Sequence, residues 1–371
     1  MRRPALVPSA ALVATAALLA GCSTPSADAP STSAPTTSSA ASPSLSSSPS
    51  ASASASSGTG ATDSPAPSAS ATDDALPPVT DPVSLPALMR EDVVGSDLRL
   101  GTVLARTSEY TRYAITYRAD DLTISGIANI PRGEGPFPVV VLLHGYIDPA
   151  VYVTGQGFRR EQDALARNGY VALHVDYRNH AGSDDDPRND VDLRLGYARD
   201  AIAAVEAVRS SGIARLDGER VALLGRSMGG SVVFNALVAQ PGLVDAAITY
   251  ASVSTDAVDN YERWIRFDDG RSQLAARIER EHGSPEDAPE WWDAVSARTY
   301  VDRITTPVMM HHGTVDDTCP VAWSRATRDA LLEAGVDLTY HEYRGENHYF
   351  YGGWAQSMRR TLAFLDQNLQ A

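Results

Sequence analysis

The spacing of apolar positions changes along this chain, and each change marks a different kind of segment. From Ala10 to Ala20 apolar residues run almost unbroken, about half of the roughly 20 residues that a membrane-spanning helix needs. From Ser23 to about Pro78 the chain is almost entirely Ser, Ala, Pro and Thr. Such a stretch has too little apolar surface to offset the entropy of ordering, so a disordered tether is expected there. From Leu100 onward the pattern is that of a folded domain. Arg99 to Ala105, Tyr110 to Tyr117 and Leu122 to Ile130 alternate as half-buried antiparallel strands do. Val139 to Leu143 is wholly apolar, which predicts a strand covered on both faces. Strand and helix patterns then take turns: helix from about Phe158 to Arg167, strand Tyr170 to Asp176, helix Val191 to Ser210, strand Arg220 to Leu224, a helix running to Ala239, and strand Ala246 to Ala251. Between Ser252 and Tyr300 the periodicity becomes irregular, and Trp264, Trp291 and Trp292 appear among many charges, which predicts a helical insert near 252–300 that caps a pocket. The alternation resumes with strand Pro307 to Met310, helix Val321 to Ala334, strand Leu338 to Tyr343 and a closing helix Trp354 to Asn368. The fold expected is α/β, a mostly parallel central sheet with helices on both faces.

Composition narrows the functional classes. The 371 residues, 43% hydrophobic and 21% charged, suffice for one large domain or two modest ones. A formal net charge of −15 leaves no basic stripe for a nucleic-acid partner. No lysine occurs anywhere, which excludes a Schiff-base lysine, a phosphate-loop lysine and a Ser-Lys dyad. The first 22 residues have the layout of an export signal, with Arg2 and Arg3 before the apolar run. Leu19-Ala20-Gly21-Cys22 resembles the lipobox of bacterial lipoproteins, which implies an extracytoplasmic protein, secreted or held at the membrane only through lipid on Cys22. Arg2-Arg3 also resembles the pair of a twin-arginine signal, but the residues after it fit that pattern poorly, so the export route stays open. Only Cys22 and Cys319 exist, and lipid on the first leaves the second without an intramolecular partner. The layout expected is a signal over 1–22, a tether over 23–80 and a catalytic domain over 81–371.

Candidate chemistry centres on Val221 to Asn235, VALLGRSMGGSVVFN, which reads as a buried strand, a glycine-bracketed serine and a helix start. In Gly225-Arg226-Ser227-Met228-Gly229 the glycines permit a sharp strand-to-helix turn that exposes the Ser227 hydroxyl and aims the N–H of Met228 at the same spot. Ligands of parallel α/β sheets bind at the carboxyl ends of the strands. Three such ends carry chemistry: His144-Gly145-Tyr146, then His311 to Asp317, then Gly345 to His348. The order Ser, Asp, His is that of α/β-hydrolases. A serine hydroxyl needs an imidazole to take its proton, and the imidazole needs a carboxylate to fix its tautomer and steady its charge. We therefore expect Ser227 as nucleophile, His348 as base and then acid, Asp316 as orienter, and the N–H groups of Met228 and Tyr146 as oxyanion donors. His341 is the rival base but lies inside a predicted strand, and Asp317 is the rival orienter. His144 and His312 are expected to support turns, and Asp184 to Asp186 to form a solvated loop. Trp264, Trp291 and Trp292 fit either the core of the insert or the pocket wall. His311 and His312 lack a third ligand at zinc-like spacing, so neither a metal nor a cofactor is expected.

The block YVDRITTPVMMHHGTVDDTCP from Tyr300, with GRSMGG and GENHYF, resembles the catalytic domain of the prolyl oligopeptidase family of serine peptidases over roughly Leu122 to Leu369. SPEDAPEWWDAVSARTYVDRI from Ser284 is similar to the stretch that precedes the family's aspartate motif. The family's H-G-x-x-D pattern falls so that Asp316, not Asp317, is the catalytic acid. The resemblance implies an α/β-hydrolase fold and a serine-type peptidase working through an acyl-enzyme on a small peptide. Three departures stand out. Arg226 replaces an aromatic or His, Cys319 replaces a common Val, and the span Val79 to Arg118 is too short for the β-propeller of the family's large peptidases. The last makes carboxylic-ester hydrolysis the alternative. A non-catalytic binding module on the same fold is the reading from another class, and the complete set of triad residue types weighs against it.

Overall fold

The computed structural model describes residues 76–369; the export signal, Cys22 and the Ser/Ala/Pro/Thr-rich stretch up to residue 75 lie outside the described residues. The domain is organised by β4 (Phe137–Leu143), whose side chains alternate between two cores as the two-residue period of a strand requires. Val139, Val141 and Leu143 join one cluster with α3 (Leu195–Ser210) and α4 (Met228–Ala239), while Val140 and Leu142 join the other with α2 (Arg159–Arg167) and α9 (Trp354–Asn368). An all-apolar strand is stable only where both faces are covered, and here both are.

Around β4 the sheet grows in both directions. The chain enters through a four-residue helix α1 (Leu85–Leu88), then β1 (Gly95–Arg106), β2 (Tyr110–Ala119) and β3 (Leu122–Pro131), which form an antiparallel meander. β3 also pairs antiparallel with β5 (Val171–Val175). From β5 onward every pairing is parallel, through β4, β6 (Leu216–Arg226), β7 (Ala246–Tyr250), β8 (Val308–Gly313) and β9 (Leu338–Tyr343). The nine strands lie in the order β1-β2-β3-β5-β4-β6-β7-β8-β9, with α8 (Val321–Glu333) crossing between the last two. This is the α/β-hydrolase fold.

The insert between β7 and β8 is helical, as the irregular stretch predicted. It comprises α5 (Ala257–Tyr261), a π-helical turn over Glu262–Arg266, a 3-10 turn over Asp269–Arg271, α6 (Ser272–His282), α7 (Pro289–Ala294) and a 3-10 segment over Ala297–Arg303. Trp291 and Trp292 are buried in its core.

Boundaries differ from the sequence reading where polarity misleads. β8 runs three residues beyond Met310, because His311 and His312 are buried in the sheet with their ring nitrogens bonded rather than turned to solvent. α3 begins at Leu195, not Val191, because Leu193 and Arg194 have φ of 47° and 63° and form a turn whose apolar residues merely continue the helical spacing. β1 is longer than the alternating stretch and broken by register shifts, as an edge strand with mostly solvent-facing residues allows. Among the described residues no helix is long and apolar enough to cross a membrane.

Candidate active site

Ser227 is the single residue between the end of β6 and the start of α4, and it sits at φ 56°, ψ −123°. A non-glycine residue pays about 1–3 kcal/mol for such a conformation and keeps it only where the surroundings over-determine it. Here its N–H donates to Tyr250 O at 3.0 Å, and its carbonyl accepts from Gly230 at 2.9 Å and Val253 at 3.2 Å. The flanking glycines are required by close approach. A Cβ on Gly225 would stand 2.2 Å from Gly229 O, and one on Gly229 would stand 1.8 Å from Leu143 O.

The loops after β8 and β9 bring Asp316 and His348 together. His348 Nδ1 lies 2.8 Å from Asp316 Oδ2, while Asp316 Oδ1 accepts the N–H of Thr318 at 2.9 Å and of Cys319 at 2.8 Å. His312 Nε2 is 3.3 Å from the same Oδ2 and 2.9 Å from Cys319 O, so it supports the turn. Burial works to raise the Asp316 pKa, but the hydrogen bonds from His312 and His348, the His348 charge and the Cys319 N–H outweigh it and hold the carboxyl well below the usual range. It is therefore a permanent anion beside the imidazole. The rivals lie elsewhere: Asp317 is exposed, and His341 sits within β9 stacked against His311.

Ser227 and His348 line one cavity of about 410 Å³ under the insert. No hydrogen bond joins them among the described residues; the polar neighbour of Ser227 Oγ is Cys319 Sγ at 3.8 Å. Nucleophile–base bonds are often long without substrate and shorten when the reacting complex forms. Burial pushes the Cys319 thiol up to about 12, so it stays protonated and is no competing nucleophile.

The turn after β4 reaches the same place. A Cβ on Gly145 would lie 3.0 Å from Ser227 Cβ and 3.6 Å from its Oγ, so glycine lets the backbone leading to Tyr146 pass against the Ser227 side chain. His144 holds this turn from beneath, with Nε2 3.1 Å from Asp176 O and its ring stacked on Tyr152 and His174. Burial lowers its pKa to about 4, so it is neutral. Met228 is the first residue of α4, where backbone N–H groups are free of helical partners and the helix dipole favours negative charge. Of the tryptophans only Trp264 reaches the cavity, together with Ile265 of the π-helical turn. The acidic loop is solvated as expected, with Asp184 and Asp185 exposed, and two of its carboxylates also find partners. Asp186 pairs with Arg178 at 2.9 Å, and Asp184 accepts the Thr123 N–H at 2.7 Å.

One contact beside the nucleophile was not foreseen. Arg226, only 9% exposed, donates from Nη2 to Glu161 Oε1 at 2.6 Å, and the same oxygen accepts Trp354 Nε1 at 2.9 Å. Its guanidinium also lies over the rings of Phe158 and Tyr250. The residue that departs from the family pattern thus ties the Ser227 turn to α2 and α9. Glu161→Ala strands a buried guanidinium and should lower the unfolding free energy by about 3–5 kcal/mol. Urea titration measures it; a loss below about 1 kcal/mol, the worth of a solvated pair, would contradict the buried pairing.

Residues 156–371 match the prolyl oligopeptidase family. The chain is 28% identical over 223 residues to the uncharacterized peptidase YuxL of Bacillus subtilis, covering 58% of this chain and 32% of that one. It is 25% identical over 217 residues to the acylamino-acid-releasing enzyme of Arabidopsis thaliana, covering 57% and 27%. The chain therefore spans about a third or less of the length of these relatives. Among solved structures, a putative dipeptidyl aminopeptidase IV of Bacteroides ovatus superposes with TM-score 0.56 at 19% identity, over 70% of this chain and 36% of that one. The acetyl xylan esterase of Paenibacillus sp. R4 does so with TM-score 0.56 at 19% identity, over 78% and 97%. At such identities the likeness speaks for the fold alone.

Proposed function

Because the chain belongs to the prolyl oligopeptidase family of serine hydrolases, we propose that it cleaves small acyl substrates, peptides first, through an acyl-enzyme on Ser227. The observation that carries this reading is the 2.8 Å contact between His348 Nδ1 and Asp316 Oδ2 on a cavity that Ser227 also lines. With Nδ1–H held by the carboxylate, the free Nε2 of His348 takes the Ser227 proton as the hydroxyl attacks the carbonyl carbon. The carbonyl oxygen becomes an oxyanion, held by the N–H groups of Met228 and Tyr146. His348 then returns the proton to the leaving amine or alcohol, and water, activated by the same imidazole, releases the acid and frees Ser227.

Ester hydrolysis is the second reading, and what favours it is that the chain matches 97% of the length of the Paenibacillus esterase. Export, and attachment to the membrane by lipid on Cys22, belong to the same proposal and rest on the sequence. A fluorophosphonate probe should label the full-length protein. Rates on matched p-nitrophenyl acetate and aminoacyl-anilide substrates sort the two readings: anilide cleavage marks a peptidase, cleavage of the ester alone an esterase. Neither labelling nor turnover would leave only a binding module.

A further inference from the structure

The cavity contains a positive charge for which the reaction proposed above has no use. Tyr146, 45% exposed on its wall, has two guanidiniums over its ring, Arg194 at 4.8 Å and Arg271 at 4.9 Å from the centroid. They arrive from separate parts of the fold. Arg194 belongs to the turn before α3, and Arg271 to the 3-10 turn of the insert. Arg194 donates from Nε to Asp190 at 2.8 Å and touches Met228 Sδ at 3.4 Å. Arg271 is partly buried and pairs with no carboxylate among the described residues. Many other arginines do hold an acid: Arg178, Arg188, Arg266, Arg298 and Arg325 each pair with at least one Asp or Glu. With 46 acidic against 31 basic residues in the sequence, a second carboxylate beside Tyr146 would have been easy to supply.

Arg271 brings a charge with no carboxylate partner among the described residues to a partly buried place on the cavity wall, which leaves a local charge imbalance. An anionic group entering the cavity relieves it, and a guanidinium fork fits a carboxylate in both shape and charge. The position fixes which half of the substrate carries that group. Arg194 touches the side chain of Met228, and Arg271 covers that of Tyr146, the two residues whose N–H groups are assigned to the oxyanion. The acyl half stays bonded to Ser227 with its oxygen on those donors, whereas the leaving half departs. We infer that this enzyme prefers acyl groups bearing a carboxylate close to the scissile carbonyl, with Arg271 as the recognising residue and Arg194 assisting; the inference rests on the serine-hydrolase reading.

The test compares acyl groups of equal shape and different charge: Nα-acetyl-glutamyl against Nα-acetyl-glutaminyl, each as p-nitrophenyl ester and p-nitroanilide. Wild type should show a kcat/KM ratio of about 10- to 100-fold in favour of the carboxylate, the worth of one charge-assisted hydrogen bond. The ratio should shrink with added salt, collapse toward one in Arg271→Gln and return in part in Arg271→Lys. Equal rates for glutamyl and glutaminyl substrates in wild type would overturn the inference and leave the hydrolase standing. A preference that survives Arg271→Gln unchanged would overturn the assignment to Arg271. Absence of all turnover together with absence of fluorophosphonate labelling would remove the hydrolase reading, and this inference with it.

Discussion

Ser227→Ala should lose about a million-fold in kcat and all fluorophosphonate labelling while keeping its fold. The loss is large because the serine and imidazole act as a unit, so removing the hydroxyl disables both. What survives is about the thousand- to ten-thousand-fold over water that binding and oxyanion donors supply unaided. The structure gives reason to expect intact folding. The bonds that hold residue 227 at φ 56° are made by its backbone N–H and carbonyl, and alanine keeps both. A thermal melt alongside the rate assay separates a dead enzyme from an unfolded one. Labelling that persists in the variant would remove Ser227 as the nucleophile.

Asp316→Asn should lower kcat by about ten-thousand-fold with the fold retained. Asp316 Oδ1 accepts two backbone N–H groups, from Thr318 and Cys319, and asparagine must keep its carbonyl oxygen there. Its amide NH₂ then faces His348 Nδ1, where Oδ2 had been. A donor in that place makes Nδ1 the acceptor and moves the imidazole proton to Nε2, the atom proposed to receive the Ser227 proton. The ring stays in position in the wrong tautomer. The neighbouring substitution Asp317→Asn is the control. That side chain is exposed, and its contact is a 3.5 Å hydrogen bond from Thr318 Oγ1, so turnover should change by no more than a few-fold. Equal losses at both positions would mean that the loop, rather than one carboxylate, matters.

The sequence disclosed the sheet where burial and polarity agree. Val139 to Leu143 has no polar residue to confuse the reading, and β9 and α9 fall at the limits their spacing predicts. It was misleading where polar side chains find partners inside. His311, bonded to Tyr343 and Thr361 within the core, looks from its type like the start of a loop. The strand ends carrying Asp316 and His348 were legible because the motifs sit just after stretches that read as strands. The partner of Arg226 was not, since Glu161 lies 65 residues away on another element, and no local spacing encodes that meeting. The two arginines over Tyr146 were equally hidden, because they come from loops whose course depends on the packed insert.

The entry and exit of that insert are tied to each other. Arg298, near its exit, donates from its backbone to Thr255 O at 3.0 Å and from Nη2 to Ser254 Oγ at 2.8 Å, near its entry, and Ser296 accepts the Ala257 N–H at 2.8 Å. In its middle Arg263 grips the carbonyls of Asp317 and Thr318, beside the Asp316 carboxylate that contacts His348. Arg263 thus links the cap to the loop that carries Asp316, so a substitution that releases it should disturb the contact between Asp316 and His348 as well.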